Sequence, residues 1–287
     1  MKILMIFLRW PGGVGEVIRN IKNEFEKQGH EVEVISREED LKKYSLISSL
    51  FPLRKKVNQM MKEKNYDIIY THDWSSAALL LFPYPIFKRK HFCIFYGNQL
   101  RFTKILQDLV GRIMGKHLIV VGDLNKKKHP YSNLVRNGVN IEKFEPMKKK
   151  RIYLGWPDKA TESITRQEVL DIGKKLKIPV LIAKNIPPEK MNEFYNQCKI
   201  FLSLPPRSSA GALSWMEAMA AGVPIIIGNN ESESYLFPIE KVNQASEIEN
   251  TIKNAKEKDY RFWLIEHDFS WKSHAHKLLE IFGKNKK

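Results

Sequence analysis

The feature that most constrains this chain is a regular alternation of short apolar runs with amphipathic segments, and this alternation occurs twice. The first series runs from KILMIFL to HLIVVGD, and the second runs from RIYLG to VPIIIG. Short apolar runs predict buried strands, and apolar residues three or four positions apart predict helices. Alternation of strands and helices is typical of parallel sheets that carry helices on both faces. The sequence therefore predicts an α/β chain with two doubly wound domains.

A lysine-rich segment, MKKKR at 147–151, separates the two series. We place the domain boundary there, so that residues 1–146 form a first domain and residues 147–269 form a second. Doubly wound sheets bind ligands beyond the carboxyl ends of their strands. We therefore expect the two domains to face each other across a ligand-binding cleft.

The chain of 287 residues carries a net charge of +16, most of which lies in its first half. Residues 1–150 contain 28 Lys and Arg against 15 Asp and Glu, a net charge of +13, whereas residues 151–287 contain 20 against 17, a net charge of +3. A basic domain suits a polyanionic partner or an anionic membrane surface. A lysine-rich solvated surface explains the same charge.

The apolar runs are too short for a membrane span, which needs about 18 or more residues. Ile3–Leu8 lacks a following cleavage site and predicts a buried strand rather than a signal peptide. Cys93 and Cys198 lie in apolar segments without metal-ligand spacing. This usage fits a reducing compartment, so we expect a cytoplasmic protein, with peripheral attachment to the inner face of the membrane as a further expectation.

A glycine-rich turn, WPGGVGE, follows the first predicted strand and contains Gly12, Gly13 and Gly15. Glycines at this point let backbone amides approach an anion at a helix N-terminus. Their spacing matches neither the dinucleotide fingerprint nor the Walker loop. A tight strand–helix turn without a ligand is the alternative.

The segment THDW places His72 and Asp73 at the carboxyl end of a predicted strand. A histidine there can act as an acid, a base or a polar ligand near neutral pH. The alternative is a helix cap and a surface pair with no chemical role.

The segment SAGALSWMEAMAAGVPII contains a single acidic residue, Glu217, on a predicted helix of small and apolar residues. A buried carboxylate needs a partner, and the hydroxyls of a ribose would serve. A neighbouring amide or lysine would serve equally.

Two further clusters have structural alternatives. Phe82, Tyr84 and Phe87, next to the basic run 88–90, could contact a lipid or a sugar, or could pack within a loop. The apolar positions of the helix at 57–61 are predicted to face the core.

Five segments in order resemble the retaining GT-B glycosyltransferases of group 1, the family that includes glycogen synthases, sucrose synthases and phosphatidylinositol mannosyltransferases. They are GGVGEVIRNIKNEFEKQGHEVEVIS, YDIIYTHDWSSAALL, NLVRNGVNIEKFEP, IPPEKMNEFYNQCKIFLSLP with MEAMAAGVPII, and HDFSWKSHAHKLLEIF. The resemblance covers nearly the whole chain.

The resemblance implies two Rossmann-like domains in a compact GT-B arrangement. It implies that the second domain binds a nucleotide-sugar donor, that the first binds a saccharide or lipid-linked acceptor, and that a terminal helix at 270–287 crosses back onto the first domain. It also implies sugar transfer with retention of the anomeric configuration, and neither a cofactor nor a metal. Amides and cations would then stabilise the leaving diphosphate.

Positions that match the family's motifs provide candidate site residues. Glu217 matches the acid that holds the ribose, and Asn185 and Ile186 fall near the nucleobase site. The amides of the helix start match the diphosphate site, and His72 matches a histidine that approaches the transferred sugar. The residues whose amides match the diphosphate site are Ala210, Gly211, Ala212 and Leu213, and Ser209 is a further donor-binding candidate at the position of an acid that contacts sugar hydroxyls. The glycine turn matches the loop that faces the diphosphate and the acceptor.

The sequence departs from the family at three places. Ser209 replaces the first acid of the E-x7-E motif. Trp156 replaces an arginine, which leaves Lys159 as the nearby cation and Arg207 as a second candidate. Tyr96 replaces a histidine before a glycine. The predicted catalytic residues are therefore His72, Lys159 and Arg207, and the predicted acceptor-side residues are Asp73, Tyr96 and Asn98.

Two other function classes stay open. The loss of an acid and an arginine suits a degenerate member that binds a nucleotide or a partner without catalysis. The positive charge suits a nucleic-acid-binding protein, although the aromatic residues do not interleave with the basic runs as they do in ribonucleoprotein motifs.

Overall fold

The computed structural model describes residues 1–7, 13–36, 50–83, 85–96, 104–157, 164–204, 213–228, 236–254 and 258–284. The chain divides into two compact units. The first unit comprises residues 1–136 and 271–287, and the second comprises residues 137–270.

The first unit contains a six-stranded sheet in the order β2-β1-β3-β4-β5-β6, and all of its pairings are parallel. Its strands are β1 (Lys2–Phe7), β2 (Glu31–Ser36), β3 (Ile68–His72), β4 (His91–Phe95), β5 (Leu118–Val120) and β6 (Asn133–Leu134). Its described helices are α1 (Gly13–Lys27), α2 (Leu50–Lys64), α3 (Trp74–Leu81), α4 (Lys104–Met114), α5 (Asp123–Lys128) and the terminal helix, here numbered α11 (Trp271–Lys284).

The second unit contains a five-stranded sheet in the order β11-β10-β9-β7-β8, again with parallel pairings. Its strands are β7 (Tyr153–Trp156), β8 (Val180–Ile182), β9 (Cys198–Ser203), β10 (Ile225–Gly228) and β11 (Glu240–Val242). Its described helices are α6 (Arg166–Leu176), α7 (Met191–Gln197), α8 (Leu213–Ala220), α9 (Ile248–Asn254) and α10 (Tyr260–Glu266).

Local sequence explains why these elements form. β1 is buried from Ile3 to Phe7 because it lies inside a sheet that is covered on both faces. In α1, the residues at helical spacing from Val17 to Phe25 are buried, and Gly29 ends the helical region with a φ of 78°, which glycine adopts without strain. In the second unit, Thr165 and Glu168 form a reciprocal capping box at the start of α6.

The boundary between the units lies at 136/137, before the predicted boundary at 146/147. The segment between these positions packs on the second unit. Phe144 lies in its core, and the buried Asn196 amide group donates to the Glu145 carbonyl and accepts from the Met147 N–H. The lysine run therefore follows a segment that already belongs to the second unit. The terminal helix α11 belongs to the first unit.

The two ambiguous clusters of the first unit pack inward where they are described. Phe82 and Phe87 contact different core clusters, and Tyr84 lies outside the described residues. Val57, Met60 and Met61 are buried, so this face of α2 points to the core as predicted. Loop packing thus accounts for Phe82 and Phe87. No helix within the described ranges is long and apolar enough to cross a membrane.

Candidate active site

In the first unit, the sheet reverses its direction of growth between β1 and β3. The chain adds β2 on one side of β1 and then places β3 on the other side. In doubly wound sheets such a switch point, at the carboxyl ends of the strands, is where ligands bind. Ile6 pairs with Thr71, so Phe7 at the end of β1 lies beside His72 at the end of β3. The predicted His72 site therefore lies at the switch point of the first sheet.

His72 and Tyr96 meet at this edge, although they are 24 residues apart in sequence. The His72 Nδ1 atom lies 2.5 Å from the Tyr96 hydroxyl oxygen. The His72 side chain is buried, and burial together with the neighbouring His274 lowers its pKa to about 3. His72 is therefore neutral near pH 7 and acts there as a polar group rather than as a cation.

Asp73 follows His72 and caps α3. Its carboxylate accepts a hydrogen bond from the Trp74 N–H at 2.9 Å, and its backbone has a φ of 72°. Burial raises the pKa of the carboxyl to about 6, against the lowering effect of the Trp74 N–H. A positive φ at an aspartate and a carboxylate that is costly to ionise both reduce stability, and such costs concentrate at functional sites.

Asp73→Asn is expected to stabilise the protein at pH 7.5 and to change its stability little at pH 4. The Asp73 pKa rises on folding from an ordinary value of 3.8 to about 6, so ionisation opposes folding as the pH rises through this range. Asparagine keeps the cap, and because φ 72° and ψ 157° lie outside the left-handed helical region, it bears the same backbone strain as the aspartate. We expect a gain of about 1 kcal/mol, less than the pKa change alone implies because the side chain is partly exposed. Thermal unfolding at both pH values measures it, and equal effects at the two values would contradict the assignment.

The glycine turn is described in part. Gly13 begins α1 and is exposed, and Gly15 is buried within its first turn. Gly12 and Asn98 lie outside the described residues. The amino end of α1 thus follows β1 at the same switch point as His72.

The second sheet has its switch point between β7 and β9, because β8 lies on one side of β7 and β9 on the other. Three predicted residues follow the carboxyl ends of strands in this sheet. Asn185 and Ile186 come soon after β8, and Leu213 begins α8 after β9. Asn185 is exposed with a φ of 55°, whereas Ile186 packs against the core of the unit.

Glu217 is half-buried on α8, where it is the sole acidic residue. Its carboxylate accepts a hydrogen bond of 2.8 Å from the hydroxyl of Tyr195, a completely buried residue of α7. Burial and the nearby Glu217 charge raise the pKa of Tyr195 well above its ordinary value, so the phenol keeps its proton. Nothing in the sequence pattern had pointed to Tyr195 as this partner. Glu217 is therefore fixed in place by the second unit itself.

Trp156, the replacement for the family's arginine, is buried among apolar residues on one face of the second sheet, together with Leu154. Its indole therefore serves the core. The cation candidates Lys159 and Arg207, and the donor-loop residues Ser209, Ala210, Gly211 and Ala212, lie outside the described residues. In the chain, these segments follow β7 and β9, the two strands that flank the switch point.

The described residues contain no group of three or more His, Cys, Asp or Glu side chains arranged to hold a metal ion. Cys93 and Cys198 are both buried free thiols.

Comparison with known proteins adds the family. The family model described as Glycosyltransferase Family 4 matches residues 11–123, and the model described as Glycosyl transferases group 1 matches residues 167–258. No curated protein sequence matches the chain.

Solved structures share the fold over essentially the whole chain. The sucrose-phosphate synthase of Thermosynechococcus elongatus is 13% identical with a TM-score of 0.75, and the alignment covers 99% of both chains. A glycosyltransferase from Rickettsia africae is 17% identical with a TM-score of 0.73, covering 100% of this chain and 98% of the other. The Anabaena protein HepE, solved in complex with UDP-glucose, is 11% identical with a TM-score of 0.67, covering 99% of this chain and 100% of the other.

These neighbours have the GT-B architecture that the resemblance implied, and the two parallel α/β sheets agree with it. The group 1 match lies within the second unit and includes Glu217, and the other match lies within the first unit and includes His72. The chain belongs to the group 1 glycosyltransferases.

Proposed function

We propose that this protein transfers a sugar from a nucleotide-sugar donor to an acceptor, with retention of the anomeric configuration. The observation that carries the proposal is the group 1 family match over residues 167–258, which includes the nucleotide-binding candidates Asn185, Ile186 and Glu217. HepE, which shares the fold, was solved with UDP-glucose, and this supports a nucleoside diphosphate sugar as the donor.

The second unit is the proposed donor-binding unit. Glu217 holds the ribose hydroxyls, and the residues that follow β8 receive the base. The amides at the start of α8, together with residues 210–212, receive the diphosphate because a helix N-terminus attracts anions. The fixed position of Glu217 on Tyr195 supports this role, since a preorganised carboxylate loses little entropy when it binds hydroxyls.

The chemistry is proposed to rest on electrostatic stabilisation of the leaving diphosphate, without a metal. Lys159 and Arg207 supply positive charge, and the backbone amides of the donor loop supply hydrogen-bond donors. On the first unit, Gly12, Gly13 and Gly15 face the reacting groups. Asp73, Tyr96 and Asn98 bind acceptor hydroxyls, and the neutral His72 supports Tyr96.

A calorimetric screen of nucleotides and nucleotide sugars tests the donor. We expect one nucleoside diphosphate and its sugar to bind, and turnover of that donor to proceed in EDTA with an unchanged anomeric configuration in the product, read by proton NMR couplings. Failure to bind any nucleotide would contradict the proposed function. An inverted product would contradict retention, and activity that EDTA abolishes would contradict metal independence.

A degenerate, non-catalytic member is the second candidate. It is favoured by Ser209, which stands where the resemblance has a sugar-binding acid, and by the buried position of Trp156. Binding of a nucleotide sugar without transfer or hydrolysis, over a panel of acceptors, would favour this candidate over the enzyme. A nucleic-acid-binding role rests on charge alone, and the absence of salt-dependent binding to DNA or RNA would remove it.

We further propose that the acceptor is lipid-linked and that the first unit works at an anionic membrane surface. Helix α4 supports this, because Ile105 is 77% exposed, and Leu106 and Leu109 are exposed beside it. Desolvation and the nearby Lys104 lower the pKa of Lys128, so two like charges lie close together next to this apolar surface. An apolar surface flanked by cations suits a bilayer of anionic lipids.

Ile105→Glu is expected to lower affinity for anionic phosphatidylglycerol vesicles about tenfold, because it replaces a side chain that would enter the bilayer with a charge of the wrong sign. Vesicle co-sedimentation measures it, with phosphatidylcholine vesicles for comparison. The matched control is Ile265→Glu, which makes the same change at another exposed isoleucine, on α10 of the second unit. Equal loss in both variants, or wild-type binding to neither vesicle, would contradict the surface.

A further inference from the structure

Polar side chains surround His72, of which Tyr70 and His274 are buried and Tyr96 is half-buried, and we call these four residues the His72 cluster. Three buried atoms of this cluster have no hydrogen-bond partner within the described residues. They are Tyr70 Oη, His72 Nε2 and His274 Nε2. Buried polar atoms in native proteins are nearly all paired, with protein or with ordered water. Three orphan atoms in one cluster therefore indicate a missing partner.

These atoms belong to one face of the first sheet. Tyr70 and His72 are two positions apart on β3, so their side chains point to the same side, and their ring centroids are 4.5 Å apart. Helix α11 covers that side, since Phe282 packs on Tyr70 with a centroid distance of 5.4 Å. His274, on the same helix, is close enough to His72 to influence its pKa.

The tautomer of His274 follows from its other nitrogen. His274 Nδ1 lies 2.7 Å from the backbone carbonyl oxygen of Arg136, and a carbonyl only accepts. Nδ1 therefore carries the proton, and the buried Nε2 offers a lone pair.

The tautomer of His72 follows from Tyr96. A phenol O–H is a stronger donor than a neutral imidazole N–H, so the Tyr96 hydroxyl donates across the 2.5 Å contact and His72 Nδ1 accepts. The proton of His72 is then on Nε2. The two orphan nitrogens are thus complementary, one a donor and the other an acceptor, and the Tyr70 hydroxyl can act as either.

We infer that one buried water accepts from His72 Nε2–H, donates to His274 Nε2 and bonds the Tyr70 hydroxyl, and that His274 is in this way a positioning residue for His72. A buried water typically makes about three hydrogen bonds, and these three atoms would supply them. Because the Tyr96 proton is committed to His72, the Tyr96 oxygen presents lone pairs and accepts from ligand hydroxyls. This last step rests on the proposed function, whereas the water and the tautomers do not.

NMR of the full chain with ¹⁵N-labelled histidine tests the inference without any activity assay. At pH 7 we expect His72 to be neutral with its proton on Nε2, and His274 to be neutral with its proton on Nδ1, since their pKa values are about 3 and about 4. The His72→Gln variant assigns the His72 signals. A proton on His72 Nδ1 in the wild type would overturn the inference.

A matched pair of variants separates the two nitrogens of His274. His274→Asn keeps a donor for the Arg136 carbonyl but removes the Nε2 acceptor, so we expect His72 to become a mixture of tautomers. His274→Gln places an amide oxygen near the Nε2 position, and the His72 tautomer should recover. His276→Asn is the control, because His276 is exposed on the same helix and pairs with Glu280. An unchanged His72 tautomer in a folded His274→Asn variant would overturn the inference, and if that variant does not fold, the wild-type tautomers decide.

Kinetics supply the functional consequence. We expect His274→Asn to lower kcat about tenfold, the equivalent of one net hydrogen bond, with little change in the donor KM. His274→Gln should recover most of this loss. A wild-type protein that transfers no sugar would count against the proposed function, and the NMR result would still decide the role of His274.

Discussion

Glu217→Ala is expected to weaken binding of the nucleotide-sugar donor by roughly 1.5–3 kcal/mol, or about 10- to 150-fold, because a charge-assisted hydrogen bond to the ribose is lost. The effect should be large because the carboxylate does not need to be ordered on binding. Tyr195, which is completely buried, already fixes one of its oxygens at 2.8 Å. Calorimetric titration of the donor measures the change.

Two further variants, Tyr195→Phe and Glu217→Gln, distinguish a ribose-binding role of Glu217 from a purely structural one. Tyr195→Phe removes the hydrogen bond that orients the carboxylate but keeps the carboxylate itself, so its donor affinity should fall less than that of Glu217→Ala. Glu217→Gln keeps an acceptor for the Tyr195 hydroxyl and loses the charge, so it should preserve stability and lose affinity. Donor affinity that is unchanged in a folded Glu217→Ala variant would remove the ribose assignment.

The longer elements of the fold could be predicted from sequence, because each carries its own periodicity. β1 and α1 are examples, one continuously apolar and the other apolar at helical spacing. The elements that the pattern missed are short or late in the chain. β6 has two residues and β11 has three, too few for a period, and they form because a neighbouring strand pairs with them. The sequence pattern also did not predict α9 and α10, each of seven residues.

The site was predictable where it follows strand ends and not where it depends on distant contacts. The position of His72 follows from the apolar run that precedes it. By contrast, Tyr195 reaches Glu217 from another helix, and His274 reaches the His72 cluster from the terminal helix. Local sequence patterns do not predict contacts between residues that are this far apart in the chain. Lys159, Arg207 and residues 209–212 remain predictions from the resemblance.

The predicted domain boundary differed from the observed one for a similar reason. A lysine run indicates solvent exposure, but it does not show which unit the preceding residues pack against. Residues 137–146 are held by side chains from far along the chain, and Arg261 on α10 is prominent among them. Its Nη1 donates to the carbonyl oxygens of Ile141, Phe144 and Ala220 at 2.8, 2.7 and 3.1 Å.

Arg261→Met is expected to lower the free energy of unfolding of the second unit by about 3 kcal/mol. Bonds from a charged donor contribute more than neutral ones, and three half-buried carbonyls would lose a partner at once, although their effects do not add fully. The lost hydrogen bonds lie in two places, at the segment 137–146 and at the end of α8. Thermal and urea unfolding measure it, with donor-bound protein as a second sample.

Two substitutions sharpen this result. Arg261→Lys keeps the positive charge and three N–H donors, but its side chain is one atom shorter and its nitrogen stops short of the Nη1 position, so its loss should be intermediate. Arg166→Met changes an exposed arginine of α6 and should stay within about 0.5 kcal/mol of the wild type.

If Arg261→Met were as stable as Arg166→Met, residues 137–146 would be held mainly by Phe144 in the core and by Asn196, which bonds the Glu145 carbonyl and the Met147 N–H. Asn196→Ala would then be expected to lower the free energy of unfolding more than Arg261→Met does. Comparing these two variants therefore shows which side chain holds residues 137–146 on the second unit.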